Sequence, residues 1–138
     1  MADRRWIAGA GNSHYHKRIN LAIFFKKEQI MCKSKILKTS DDGYVMHCKG
    51  CGQIQVAFGT TIISMTQSKF YEYIKAIDDL YSIHNLYPFK DEKLIKIPTP
   101  ARGVIMVYSV NELKDLLHML VEGRNKLEYN KLFVFSEN

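Results

Sequence analysis

The sequence predicts an α+β fold: an antiparallel sheet with two amphipathic helices packed on one face, built from two hairpin–helix units. Three observations predict it. β-prone runs alternate with turn residues from Lys35 to Met65; two apolar stripes of helical period follow, each opened by a hydroxyl residue; and the second half of the chain echoes the first.

The elements can be justified in order. Residues 1–30 have no clear period and form an irregular basic leader. Regular patterning begins just after Met31, which makes Met31 a candidate natural start and residues 1–30 a candidate non-native extension, with residues 31–138 as a single α+β domain. Lys35–Thr39 and Tyr44–Cys48 flank Ser40-Asp-Asp-Gly43, and Asp-Gly between β-prone runs is a strong hairpin signal. Gln53–Phe58 alternates in polarity, turns at Gly59 and continues as Thr60–Met65, giving four antiparallel strands. Thr66 then reads as an N-cap, its hydroxyl accepting from the first free N–H groups of a helix. Apolar residues at 70, 73, 74, 77, 80, 81 and 84 form one stripe, the mark of a helix lying on a sheet. His84 at its end reads as a half-buried or capping residue.

Leu94–Ile97 and Val104–Tyr108 predict another strand pair around a Pro- and Gly-containing link. Ser109-Val-Asn-Glu112 is a capping box ahead of a second stripe at Leu113, Leu116, Leu117, Leu120 and Val121, with His118 on the exposed side and Gly123 as the expected stop. The run Lys131–Phe135 could add a strand or pack on the last helix. The internal echo is specific: Ile62–Phe70 superposes on Ile105–Leu113 at an offset of 43, placing Thr66 on Ser109, and Ile54 and Val56 match Ile95 and Ile97 at an offset of 41.

Composition narrows the function classes. No apolar run approaches the roughly 20 residues of a membrane span, and Leu21–Phe25 lacks the features of a secretory signal. The formal charge is +6, but residues 1–40 hold nine basic against two acidic residues, and residues 41–138 hold 11 against 12. The basicity belongs to the front end, which argues against sequence-specific nucleic-acid binding and leaves a weak electrostatic contact through the leader as the alternative. Three cysteines, an odd number, argue against a closed disulfide framework, so the chain reads as cytoplasmic and reduced.

The cysteines carry the one candidate site. Cys48-Lys-Gly-Cys51-Gly52 can aim two thiolates at one metal and is half of a structural zinc site. Cys32 is the remaining cysteine. If the first hairpin turns between Asp41 and Asp42, Cys32 falls opposite Cys51. The metal set is then Cys32, Cys48, Cys51 and His47, with His14, His16 or water as other candidates for the fourth position. Three unmetallated thiols packed as small hydrophobes are the competing reading. A redox Cys-x-x-Cys should open a helix, and this one precedes a strand. No phosphate-cradling Gly loop, Gly-x-Ser-x-Gly elbow or His-Glu-x-x-His occurs, and no catalytic or organic-cofactor residue stands out.

The run Gly43-Tyr-Val-x-x-Cys48-x-x-Cys51-x-x-Ile54-Gln-Val-Ala-Phe58-Gly59 resembles a small family of uncharacterised proteins from Bacteroidota bacteria. In that family a Cys-x-x-Cys precedes an Ile-Gln-x-x-Phe-Gly strand, a hairpin and a helix. The resemblance covers Met31 to Gly123. It implies a bacterial protein and the fold above, but no activity. The function expected is therefore a small cytoplasmic non-enzymatic binding or regulatory protein, with structural zinc as one of the two readings of its cysteines. Its partner would be another protein, or a second copy through an exposed strand edge, with no membrane contact and an unknown small-molecule ligand. The alternative is a metal- or thiol-dependent enzyme using the same cysteines.

Overall fold

A computed structural model describes residues 33–99 and 102–136, with side chains described through residue 133. The leader, Cys32, His14 and His16 lie outside the described residues. Among the described residues six strands and two helices follow in the order β1 (Ser34–Ser40), β2 (Gly43–Cys48), β3 (Ile54–Phe58), β4 (Thr61–Met65), α1 (Gln67–His84), β5 (Ile95–Pro98), β6 (Ile105–Tyr108) and α2 (Val110–Ser136). The strands form two antiparallel sheets, β1-β2-β3-β4 and β5-β6.

The first hairpin forms where Asp-Gly signalled it, but for a different reason. Ser40 pairs with Gly43 across Asp41 and Asp42. Gly43 is not among the positive-φ glycines of the described residues, Gly52, Gly59 and Gly103. It is needed instead for close approach: a Cβ there would sit 1.8 Å from the Ala57 carbonyl oxygen on β3. A bulge between Ile36 and Lys38 then slips the register by one, so that Ser34 faces Cys48. The slip lets Leu37 join the core while Lys38 reaches Glu122 on α2 at 3.3 Å. The regular register from which Cys32 was placed opposite Cys51 therefore does not hold along β1.

The repeat is visible in the backbone. Thr66 Oγ1 accepts from the Lys69 N–H at 3.2 Å, and Ser109 Oγ accepts from the Glu112 N–H at 3.1 Å. Phe70 and Leu113, equivalent under the offset, are both fully buried, as are Ile54 and Ile95 to within a few per cent. Only the second unit completes the capping box, with Glu112 Oε1 accepting from the Ser109 N–H at 3.0 Å. Lys69 occupies the matching place in the first. Phe58 and Tyr108 meet edge to face at 5.7 Å, linking the two sheets.

Phe70, Ile74 and Ile77 from α1 and Leu113, Leu116, Met119, Leu120 and Leu127 from α2 share one core with Leu37, Val45, Ile54, Val56 and Phe58. His84 is half-buried, its Nδ1 2.8 Å from the Leu80 carbonyl oxygen, and His118 is exposed beside Glu122, as expected.

Gly123 does not stop the second helix. α2 runs through it to Ser136, which also settles Lys131–Phe135 as helix. The glycine serves packing: a Cβ would lie 3.0 Å from Val45 Cβ and 3.1 Å from each Val45 methyl, so its absence lets α2 settle on β2. No helix among the described residues is long and apolar enough to cross a membrane.

Candidate metal centre

The knuckle lies in the link between β2 and β3. Cys48 ends β2, is 8% exposed, and donates its backbone N–H to the Gln53 carbonyl at 2.9 Å, closing the loop. Within that loop the Gly52 N–H donates to the Cys48 carbonyl at 2.8 Å and the Cys51 N–H donates to Cys48 Sγ at 3.4 Å. Gly52 has φ of 77°, a left-handed conformation that favours glycine, so the Cys-x-x-Cys-Gly spelling has a backbone reason. Cys51 is exposed. The first strand reaches the same place: Lys49 donates its N–H to the Lys33 carbonyl at 2.9 Å.

Cys48 is in a disulfide in this structure. The odd cysteine count argued against a closed framework of bridges, and it does not forbid a single one. A sulfur in a disulfide is not a metal ligand; metal binding requires the reduced thiolate.

His47 precedes Cys48 on β2 and pairs with Lys35 on one side and Ile54 on the other. Neighbouring side chains on a strand point to opposite faces, which separates His47 from the buried sulfur beside it. Burial pushes the imidazole pKa below its ordinary value, and the nearby Lys131 and Lys49 ammonium groups push it the same way. The neutral ring is thus favoured, the form that can ligate a metal. Among the described residues no three His, Cys, Asp or Glu side chains gather closely enough to hold a metal ion. Cys48 and Cys51 come together as a pair; His47 adds no third ligand to them, and Cys32 is outside the described residues.

Lys131 is part of a polar cluster that sequence reasoning missed. Tyr71 on α1 donates its hydroxyl to Glu128 on α2, Gln67 Nε2 donates to Tyr71 Oη at 3.3 Å, and Lys131 Nζ lies 3.4 Å from the same oxygen. The spacing of Glu128 and Lys131 was the available signal, and it is informative only once the tail is known to be helical. At the opposite end of the sheet a shallow concavity of about 610 Å³ opens between the β1–β2 and β3–β4 turns, with Asp41, Asp42, Tyr44 and Thr60 in its lining. It holds none of the cysteines or histidines.

No curated protein and no solved structure matches the chain. A family model does match, over residues 30–136, a span that contains both sheets, both helices and the knuckle. The chain therefore belongs to the family of unknown function DUF6686.

Proposed function

We propose that the protein is a non-enzymatic binding module in which Cys48 and Cys51 supply half of a structural zinc site in the reduced state. The observation that carries this reading is the Cys51 N–H donated to Cys48 Sγ at 3.4 Å inside a Cys-x-x-Cys-Gly turn. A hydrogen bond donated to sulfur favours the thiolate over the thiol, which is what zinc requires of its ligand. The other ligands would come from Cys32 and from a residue of the leader. The disulfide at Cys48 is the oxidised alternative of the same sulfur, and reduction is the step that makes it available to metal.

The binding role draws on the link between α1 and β5. Leu86 is 90% exposed, and Tyr87, Phe89 and Leu94 stand exposed beside it. That link is tied to α2 by the Asn111 N–H on the Lys90 carbonyl at 3.1 Å and by Asn111 Nδ2 on Asp91 Oδ1 at 2.8 Å. Exposed apolar groups gathered on one link suit contact with another protein.

The experiment is elemental analysis of the reduced, tag-free protein, alongside Cys48→Ser and Cys51→Ser. About one zinc per chain, lost in both variants together with a fall in melting temperature, is the expected result for a structural site. Zinc-free reduced protein whose melting curve ignores chelator would overturn the reading.

A further inference from the structure

Each sheet has two edges, and they are not alike. β1, at one edge of the larger sheet, carries Lys35 and Lys38; β5 carries Lys96 and ends at Pro98. Lysine and proline on an edge strand discourage the addition of another strand. β4, at the other edge of the larger sheet, reads Thr61-Ile62-Ile63-Ser64-Met65 and has no charge, no proline and no glycine. β3 is its only strand neighbour among the described residues.

The core is also open on that side. On β3 the inward residues Ile54 and Val56 are 0% and 2% exposed, whereas their partners Met65 and Ile63 are only half-buried. On the outward face Ile62 is 58% exposed. β6 is likewise uncharged, but its inward residues Met106 and Tyr108 are 8% and 7% exposed, so its side of the core is already closed.

We propose that β4 pairs antiparallel with β4 of a second copy, joining two four-stranded sheets into one of eight strands. The strand suits itself as a partner. Pairing about Ile63 sets Thr61 against Met65 and Ile62 against Ser64, so the alternation of faces continues across the join and the row of Ile63 and Met65 gains cover. An edge used twice across a twofold axis is closed, and the far edge of each sheet is then the lysine-bearing β1. Growth stops at two copies instead of running on into a fibre. A strand edge alone is a small contact, below the roughly 1,200 Å² of stable complexes, so the dimer is reversible, with dissociation on the order of micromolar. The proposal does not depend on a metal at the knuckle.

The test is sedimentation velocity on the wild-type protein up to about 100 μM, well above that dissociation range, with Ile62→Lys, Ser64→Lys and Ile105→Lys beside it. Ile62 and Ser64 are both exposed, so their replacement leaves the core intact, and circular dichroism melting checks this. The expected result is a two-chain species for wild type and Ile105→Lys, and one chain for Ile62→Lys and Ser64→Lys at unchanged melting temperature. A wild-type protein that stays a single chain at the highest concentration would overturn the proposal. So would a dimer that survives both β4 variants, since its contact would lie elsewhere.

Discussion

Adding a single methyl group at Gly123 tests how the second helix sits on the sheet. Gly123→Ala should gain about 1 kcal/mol from helix propensity alone. Against this, the new Cβ would meet Val45 Cβ at 3.0 Å and both its methyls at 3.1 Å. Val45 is fully buried, β-branched, and on a strand paired on both sides, to Lys38 and to Val56, so it has little room to move. Overpacking of this kind costs about 1–3 kcal/mol. The two effects oppose each other and the steric one is the larger, so the variant should lose about 1 kcal/mol net. Val45→Ala removes two of the three close atoms and in that background the same methyl should cost about 1 kcal/mol less. Urea denaturation of the four proteins of the cycle, at constant m, measures both numbers. If Gly123→Ala stabilises the wild-type protein, or if the two substitutions add within about 0.5 kcal/mol, the close approach of helix and strand does not limit packing.

Gly43→Ala is expected to be far more damaging than its size suggests. The methyl would lie 1.8 Å from a backbone oxygen of β3, which cannot swing aside as a side chain can. A loss of more than about 3 kcal/mol in the same denaturation assay is expected, and a loss under about 1 kcal/mol would show that the strands part easily there. Ser109→Ala should cost about 1 kcal/mol by removing the cap of α2. The pH dependence follows from Glu112. Burial pushes its carboxyl pKa up, but hydrogen bonds from Lys93 and from the Ser109 backbone and hydroxyl outweigh this, and the pKa falls below its ordinary value of 4.5. A lowered folded pKa means stability that is present above the unfolded value and lost as pH falls through the folded one. Melting temperature measured down through that range should therefore drop less steeply in Glu112→Gln than in wild type; identical slopes would remove Glu112 from the account.

Much of the fold was legible because its signals are local. Alternation from Gln53 to Met65, the stripe from Phe70 and the box Ser109–Glu112 each specify an element from neighbouring residues alone, and the structure contains all three. The errors fall where the decisive partner is distant in sequence. Gly123 reads as a stop from its neighbours and is a packing residue because of Val45, 78 positions away. Gly43 reads as a turn residue and is required by Ala57 on another strand. The bulge at Leu37 has no local spelling, and it shifts the pairing of β1 on β2 by one residue from a regular count.

The candidate site divides the same way. Its legible part is the Cys48-to-Gly52 turn, where the spelling and the hydrogen bonds are one local motif. A metal site, however, is defined by its complete ligand set, and the remaining ligands need long-range information that spacing does not hold. His47 illustrates the limit. Sequence proximity to Cys48 suggested a shared ligand, yet neighbours on a strand send their side chains to opposite faces. The ring is instead grouped with Lys131, 84 residues on, through a helix whose length the sequence left undecided. Local motifs thus specify where chemistry is possible in this chain, and the packing of α2 on β2 decides which residues can share in it.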